Sequence, residues 1–468
     1  MKYWSVIGDV SMRTTAIILA AGQGTRMKSK LPKVLHKVLG KPMVQWVIDC
    51  LTAAGVTDKI TVLGHGAEQV ATVVAEQTSI VYQTEQLGTG HAVMQGVKAL
   101  GTENDCVIVI CGDTPLLQAD TIKSLLAKHN AEKNMVTVLT AQASDPTGYG
   151  RIVRNGAQIE AIVEQKDATE EEKTITEINT GTYCFNQQFL LQYLPTLTTN
   201  NAQKEYYLTD LIKIANQNQF PVGGYQLDDF SESLGVNNRV QLAQAEQVLR
   251  QRKCNEVMLA GVTLIDPAST YIGADVVIGN DTIIYPNVVL EGATVIGSDN
   301  IIGMNCRFVD SIIGDNNDIQ STTIVESTVG NGCKIGPMAY LRPGTVLADQ
   351  VKIGDFVEVK KSQIGTGTKI PHLSYVGDAV VGSSVNIGCG TITCNYDGVN
   401  KYQTTIKDNA FIGSNTNLVA PVVVEEKAFI GAGSTITKDV PADTLAVVRG
   451  ELRLKDDWSK RQALKKKK

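Results

Sequence analysis

Aromatic residues make up only 5% of this 468-residue chain, histidines number five, and none of the nine cysteines stands in a Cys-x-x-Cys pair. A scattered, odd-numbered cysteine set offers neither a disulfide framework nor a zinc site, and fits a reducing compartment. Basic residues are not in excess. The 43 Lys and Arg against 48 Asp and Glu leave a net charge of −5, without the footprint that nucleic-acid binding needs. Long apolar runs are missing too: Ile17-Ile18-Leu19-Ala20-Ala21 falls far short of the ~20 residues a membrane span requires. The opening Met1-Lys2-Tyr3-Trp4-Ser5 is too polar for a signal peptide, and Met12 is a second candidate start. These absences leave the expectation of a cytoplasmic enzyme for small molecules, with no nucleic-acid partner and no membrane span. The Lys465–Lys468 run reads as a solvated tail.

What is present divides the chain. Its length suffices for two or three domains, each with its own core. Up to about residue 235, apolar runs (Thr15–Ala20, Ile60–Gly64, Ile80–Gln83, Cys106–Cys111, Met135–Ala141) alternate with helical stretches, which predicts an α/β fold with a mostly parallel, Rossmann-like sheet. Between about Asn238 and Met258, Val240, Leu242, Val248 and Leu249 lie among polar residues without Gly or Pro, as in one long helix. Beyond it a six-residue period begins at Ile272 and runs through Ile278, Ile284, Leu290, Ile296 and Ile302. It recurs from Ile335 to Val359, at Ile364, Ile370 and Val376, and from Ile406 to Ile436. Six residues suit one short strand and a turn, so stacked coils of a parallel β-helix are expected. Cys394–Thr405 breaks the period with polar residues and should loop out. The expected domains are therefore 1–239, a helical linker at 240–260, and a β-helix at 261–468.

The first strand runs into Leu19-Ala20-Ala21-Gly22-Gln23-Gly24-Thr25-Arg26-Met27, with Pro32-Lys33 shortly after. Small residues let backbone N–H groups approach phosphate oxygens, and Arg26 and Lys33 supply positive charge. A dinucleotide fold would need Gly at Met27, and a P-loop would need Gly-Lys-Ser/Thr; neither is met. Asp113 ends an apolar strand, where its carboxylate can hold Mg²⁺ against a triphosphate, with Asn237 as a second oxygen ligand. The Gln83 amide offers both a donor and an acceptor, as a polar ligand edge requires.

The glycine-rich segment resembles the sugar-nucleotide pyrophosphorylases. The likeness continues through Gln83 to Gly88-Thr89-Gly90-His91, Cys111-Gly112-Asp113, Gly148-Tyr149-Gly150-Arg151, Val163-Glu164, Ile178-Asn179 and Gly235-Val236-Asn237. The repeats resemble hexapeptide acyltransferases, which implies a left-handed coil; the general crossover rule alone would give a right-handed one. Together these features are similar to the bacterial enzymes that combine N-acetylglucosamine-1-phosphate uridyltransferase and glucosamine-1-phosphate acetyltransferase activities. That resemblance implies Mg²⁺, the substrates UTP, acetyl-CoA, glucosamine 1-phosphate and N-acetylglucosamine 1-phosphate, and a homotrimer. It places Gln83, Gly88 and Thr89 at the base, and Gly150, Glu164 and Asn179 at the sugar.

In the repeat half His372 is the lone histidine, between two inward aliphatic positions, so its ring should project from the coil. Arg342, Lys360, Tyr375 and Asn386 could together grip a phosphorylated amino sugar. The resemblance makes His372 the general base that deprotonates the sugar amine, with Glu358 orienting it. It places Asn395 and Tyr396 with the amino sugar, and Cys389, Ser414, Ala432 and Arg449 with acetyl-CoA. Cys389 stands where that family commonly has Ala. The competing expectation is a single nucleotidyltransferase whose β-helix only assembles subunits or binds a regulator. A bare scaffold has no use for five reactive residues on its coils, and a pure sugar-binding protein has none for Asp113 and Asn237.

Overall fold

The computed structural model describes residues 13–102 and 104–465. Met1–Ser5 and Met12, read above for their start signals, and the tail from Lys466 lie outside them. The chain divides into two compact units, Met1–Leu249 and Arg250–Lys468.

In the first unit β1 (Thr14–Ala20), α1 (Met43–Ala53), β2 (Asp58–Leu63), α2 (Ala67–Val74), β3 (Ser79–Tyr82), α3 (Thr89–Gly96), β4 (Cys106–Cys111) and α4 (Ala119–Ala131) alternate as expected. They are followed by β5 (Val136–Gln142), the hairpin strands β6 (Arg151–Asn155) and β7 (Gln158–Val163), β8 (Glu177–Asn186), α5 (Gln187–Tyr193), α6 (Asp210–Gln217) and β9 (Val222–Gln226). The sheet order is β9-β5-β8-β4-β1-β2-β3, with the hairpin attached through β8. All neighbours along that path are parallel except β8, which runs antiparallel to both β4 and β5. Both faces of the central strands are apolar because both are covered. Ile18, Ile108 and Ile110 enter one core, while Ile17, Val107 and Val109 enter the other. Chain order reverses at β1, with β2 on one side and β4 on the other, so a crevice opens at the C-terminal ends of β1 and β4.

The helix expected near 238–258 is α7, Arg239–Leu259, and the division into units falls within it. Its first half belongs to the α/β unit, where the Glu246 carboxylate accepts from the Leu39 N–H at 2.7 Å. Its second half caps the repeats, with Cys254 and Val257 buried in their core.

The second unit is a β-helix of three parallel sheets with 11, 10 and 9 strands. Each coil puts one strand in each sheet: Ile284 pairs with Ile302, Leu290 with Phe308 and Ile296 with Ile313. The inward aliphatic residues are buried in one continuous core. Many corners carry Asp or Asn at positive φ, including Asp281, Asn287, Asp299 and Asn305, as expected for short polar side chains that tolerate the left-handed region. Buried Ser and Thr beside the corners bond to backbone carbonyls, as Thr282 does to Gly297 O at 2.9 Å and Thr368 to Gly382 O at 2.7 Å. The coil continues through 303–334, where the sequence period was lost. Its inward residues there are Phe308, Ile313, Ile319, Ile324 and Val329, and several steps are one residue short. The 394–405 interruption loops out as expected, pinched by a bridge between Tyr396 and Lys401, and the coil resumes at Thr404–Ile406.

Candidate active sites

A cavity of about 260 Å³ fills the crevice of the α/β unit. Leu19, Ala20, Ala21 and Gly22 reach it from β1; Cys111 and Asp113 reach it from β4. Gly112 N–H binds Leu19 O at 2.9 Å and ties the two strand ends together. Gln83, Gly88 and Thr89 form the far wall, and Lys33 enters from the loop after β1. Gly24 lies at φ +61°, and a Cβ there would come within 2.7 Å of Lys33 Cβ, so glycine keeps that loop against the lysine. Arg26 is exposed and does not line the cavity. Gln83 is 4% exposed, with its amide between Gly88 O at 3.3 Å and the His91 ring at 3.1 Å. Burial, with the Asp113 carboxylate second, pushes the Cys111 thiol up to about 12, so it remains a neutral wall of the cavity.

The sequence reading missed Gln86 and Glu205, which also line this space. Their segment is held by Gly90 N–H to Tyr206 O and Tyr206 N–H to Leu87 O, both 2.8 Å. No motif marks that clasp; only the fold brings 205–206 onto 87–90.

Gly150, Glu164 and Asn179 meet beside the hairpin. Asn179 N–H donates to Gly150 O at 2.9 Å, and a Cβ on Gly150 would lie 3.4 Å from Glu164 Oε1. The Asn179 amide donates to the Tyr183 hydroxyl at 2.7 Å and accepts from Gly181 N–H at 3.1 Å, which fixes its orientation. Burial raises the Glu164 carboxyl above its ordinary range, against the lowering effect of the Thr209 hydroxyl.

Asp113 and Asn237 also come together. Val236 N–H binds Asp113 O at 2.9 Å, and the Lys33 ammonium bonds both Asp113 Oδ2 and, at 3.1 Å, Asn237 Oδ1. A cationic group thus already sits between the two oxygens expected to hold a metal. Among the described residues no group of three or more His, Cys, Asp or Glu could hold one. One carboxylate and one amide suit a hard divalent cation that takes its remaining ligands from phosphates and water, so this donor set fits such a group.

On the β-helix His372 ends the strand Lys369–His372 and lies in register with Asp355 of the strand Lys352–Asp355. Its Nδ1 is 2.8 Å from Asp355 Oδ1, with the two side chains 55% and 42% exposed. The hydrogen bond from His372 is the main reason the Asp355 carboxyl sits below its ordinary range. Glu358, expected to orient His372, instead accepts from Arg342 at 2.7 Å. The correction has a geometric cause: Glu358 lies on the next sheet, paired with Tyr375, while Asp355 lies directly beneath His372. Lys360 is likewise paired, 3.7 Å from Asp378 Oδ2. Asn395 reaches the same Asp378 oxygen at 2.5 Å and the Tyr375 hydroxyl at 3.4 Å. Arg342, Lys360, Tyr375 and Asn395 therefore form one surface, with Asp378 as a member the sequence reading missed. Asn386 is on the sheet of His372, in register with Lys369 and Phe411, and Tyr396 is exposed in the loop.

The residues expected at acetyl-CoA continue the His372 column. Cys389 O accepts from the N–H of Asn415, which follows Ser414, at 2.7 Å; Ser414 O accepts from Gly433, which follows Ala432, at 2.8 Å. Arg449 is exposed beyond the last coil.

The MobA-like NTP transferase domain family matches residues 16–177, and the bacterial transferase hexapeptide family, six repeats, matches 403–438. The "Bifunctional protein GlmU" of Heliobacterium modesticaldum is 55% identical over 95% of this chain and 98% of its own length. The chain belongs to the bifunctional GlmU family. GlmU proteins of Clostridioides difficile and Carboxydothermus hydrogenoformans are each 54% identical, over 96% and 95% of this chain and 97% and 99% of theirs. Full-length similarity of this kind makes the two units one GlmU architecture, a nucleotidyltransferase followed by a left-handed hexapeptide β-helix. The family uses a divalent metal. Among the described residues no helix is long and apolar enough to cross a membrane.

Proposed function

We propose that the chain makes UDP-N-acetylglucosamine in the cytoplasm in two reactions, one on each unit, with Mg²⁺ as the metal. On the β-helix it transfers acetyl from acetyl-CoA to glucosamine 1-phosphate; on the α/β unit it joins N-acetylglucosamine 1-phosphate to UTP and releases pyrophosphate. The observation that carries the reading is the Asp355–His372 pair, reactive side chains on coils that a scaffold would not need.

With Nδ1–H donated to Asp355, the neutral ring keeps Nε2 as its free acceptor. Nε2 takes a proton from the 2-amino group as the nitrogen attacks the thioester carbonyl, and the C–S bond then breaks to release coenzyme A. Arg342 and Lys360 hold the sugar phosphate, each beside a carboxylate that fixes its position, and Tyr375, Asn386, Asn395 and Tyr396 meet the sugar. Cys389, Ser414, Ala432 and Arg449 receive acetyl-CoA. The Cys389 thiol is not required, since the proton transfer belongs to His372.

In the crevice Gln83, Gly88 and Thr89 bind uracil, while Gly150, Glu164 and Asn179 bind the sugar. Leu19–Gly22 and Lys33 meet the phosphates, flanked by Cys111 and Gly112, and Arg26, exposed on the same loop outside the cavity, adds positive charge. Asp113 and Asn237 would hold Mg²⁺, which supplies charge neutralisation on the triphosphate when bound. The sugar phosphate oxygen attacks the α-phosphorus and pyrophosphate leaves; the side chains contribute alignment and positive charge. Boundaries at 239 and 260, with α7 as a linker, and a homotrimer complete the reading. Supplying glucosamine 1-phosphate, acetyl-CoA, UTP and Mg²⁺, and omitting each in turn, tests it. Sugar-nucleotide formation that is indifferent to acetyl-CoA would leave only the nucleotidyltransferase.

A further inference from the structure

We propose that Lys33 closes the metal site of the α/β unit until a triphosphate draws it away, so that a divalent cation enters with the nucleotide and not before it. This rests on the assignment of Asp113 and Asn237 as metal ligands.

Lys33 lies at the start of a short turn, 17% exposed, and its ammonium bonds Asp113 Oδ2 and Asn237 Oδ1 together. Those two oxygens are the ones that would hold a hard cation. The volume it needs is the one Nζ fills, so the two cations exclude each other by size as well as by charge. The free site also lacks a second carboxylate: Asn237 brings no charge, and Lys33 cancels that of Asp113. Among the described residues no group of three or more His, Cys, Asp or Glu adds to this pair, so a lone divalent ion gains little there.

A triphosphate changes both terms. The same cavity is lined by Leu19–Gly22, Lys33 and Asp113, so phosphates entering it come within reach of the lysine. An ammonium on a flexible four-carbon stem can turn from a carboxylate to a phosphate without moving the backbone. Gly24 against Lys33 Cβ holds the base of the stem in place during that turn. With Lys33 turned to the phosphates, the Asp113 carboxylate is left unpaired and, with Asn237, would hold the divalent cation. One side chain thereby serves as place-holder and phosphate ligand in succession, and metal without nucleotide is refused.

The direct test is a Mn²⁺ titration of the full-length protein without nucleotide, free metal being read by electron paramagnetic resonance. Lys33→Met, which keeps the stem and removes the charge, should bind Mn²⁺ about tenfold or more tightly than the wild type. Adding Asp113→Asn should return affinity to the wild-type level or below. Equal affinity of Lys33→Met and wild type would overturn the lysine's role while leaving the metal assignment untouched. Tight binding that survives in the double variant would overturn both, because the metal would then lie elsewhere. A second measurement avoids substitution of the working protein. With ¹³C-dimethylated lysines, and the Lys33 signal identified by its loss in Lys33→Met, Mg²⁺ alone should leave that signal in place and Mg²⁺ with UTP should shift it. A shift on Mg²⁺ alone would refute the exclusion.

Discussion

Replacing Asp355 by Ala removes the acceptor that holds the His372 ring and leaves the base itself in place. The loss can be sized from the geometry. The Nδ1–Oδ1 contact is 2.8 Å, but the two side chains are 55% and 42% exposed, so water competes for every position they occupy. Freed of Asp355, the ring divides between two tautomers and three χ1 wells, which dilutes the productive state about sixfold at most. Loss of a solvent-screened charge beside the developing imidazolium adds roughly another factor of two to five. Acetyl transfer should therefore fall about ten- to thirtyfold, far less than the ~10⁴-fold seen when a buried triad loses its aspartate. His372→Ala, which removes the base, should cost about two to four orders of magnitude. Asp355→Asn keeps an acceptor and loses only the charge, so it should cost only the factor of two to five. Thiol release from acetyl-CoA with glucosamine 1-phosphate reads the first activity, and uridyl transfer in the same preparation is the internal control. Wild-type acetyl transfer in Asp355→Ala would refute the orienting role. A loss as large as that of His372→Ala would mean that Asp355 does more than orient.

Asp113→Ala should abolish uridyl transfer and leave acetyl transfer near wild type, because the two sites lie in different units; parallel loss in both assays would contradict that separation. Burial raises the Glu164 carboxyl, so its ionised, sugar-accepting form disappears at a higher pH than an ordinary glutamate's as the solution is acidified. At low N-acetylglucosamine 1-phosphate the uridyl-transfer rate should show an acid limb, and Glu164→Gln should remove it; an unchanged limb assigns the titration to another group. Cys389→Ala should keep most acetyl transfer, and an acetyl-cysteine found by mass spectrometry together with an inactive variant would reverse the proposed chemistry. At Gly354 a Cβ would lie 1.7 Å from Pro371 O, so Gly354→Ala must push the coil below His372 aside. Acetyl transfer should fall at least tenfold while uridyl transfer persists, and wild-type values for both would show that the coil yields there without cost.

The repeat half was legible wherever the step between inward residues stayed at six. From Ile272 to Ile302 and from Ile406 to Ile436 each aliphatic residue is buried as the period requires. The period failed after Phe308 because Ile313, Ile324 and Val329 follow their predecessors one residue early, and a fixed spacing cannot follow a coil that shortens its turns. In the α/β half the five apolar runs mark β1 to β5 but not the later strands β6 to β9. β8 mixes polar Glu177, Asn179, Thr180 and Thr182 with its apolar residues, and only the pairing of Tyr183 with Val109 and of Cys184 with Ile108 reveals that it runs antiparallel to β4. The phosphate loop could be read because its residues are contiguous. Gln86 and Glu205 could not, because their place at the cavity comes from a clasp between distant segments.

The missed partner of His372 belongs to a different class, since its signal was present in the repeats. Asp355 follows the inward Ile353 by two residues, as His372 follows Ile370. Cys389, Ser414 and Ala432 stand at the same offset from Ile387, Ile412 and Ile430, all buried. Equal offset from the inward residue means one column on one sheet, whatever the separation in sequence. Glu358 precedes its inward Val359 by one, as Tyr375 precedes Val376, which puts both in another column. Offset therefore predicts contact better than closeness in sequence. The same column fixes a direction on the proposed chemistry. His372 lies toward one end and Ala432 toward the other, so the proposed assignment brings the thioester to His372 past Cys389. Under the proposed assignment the rest of coenzyme A would run over Ser414 and Ala432 toward Arg449, whose guanidinium suits its phosphates.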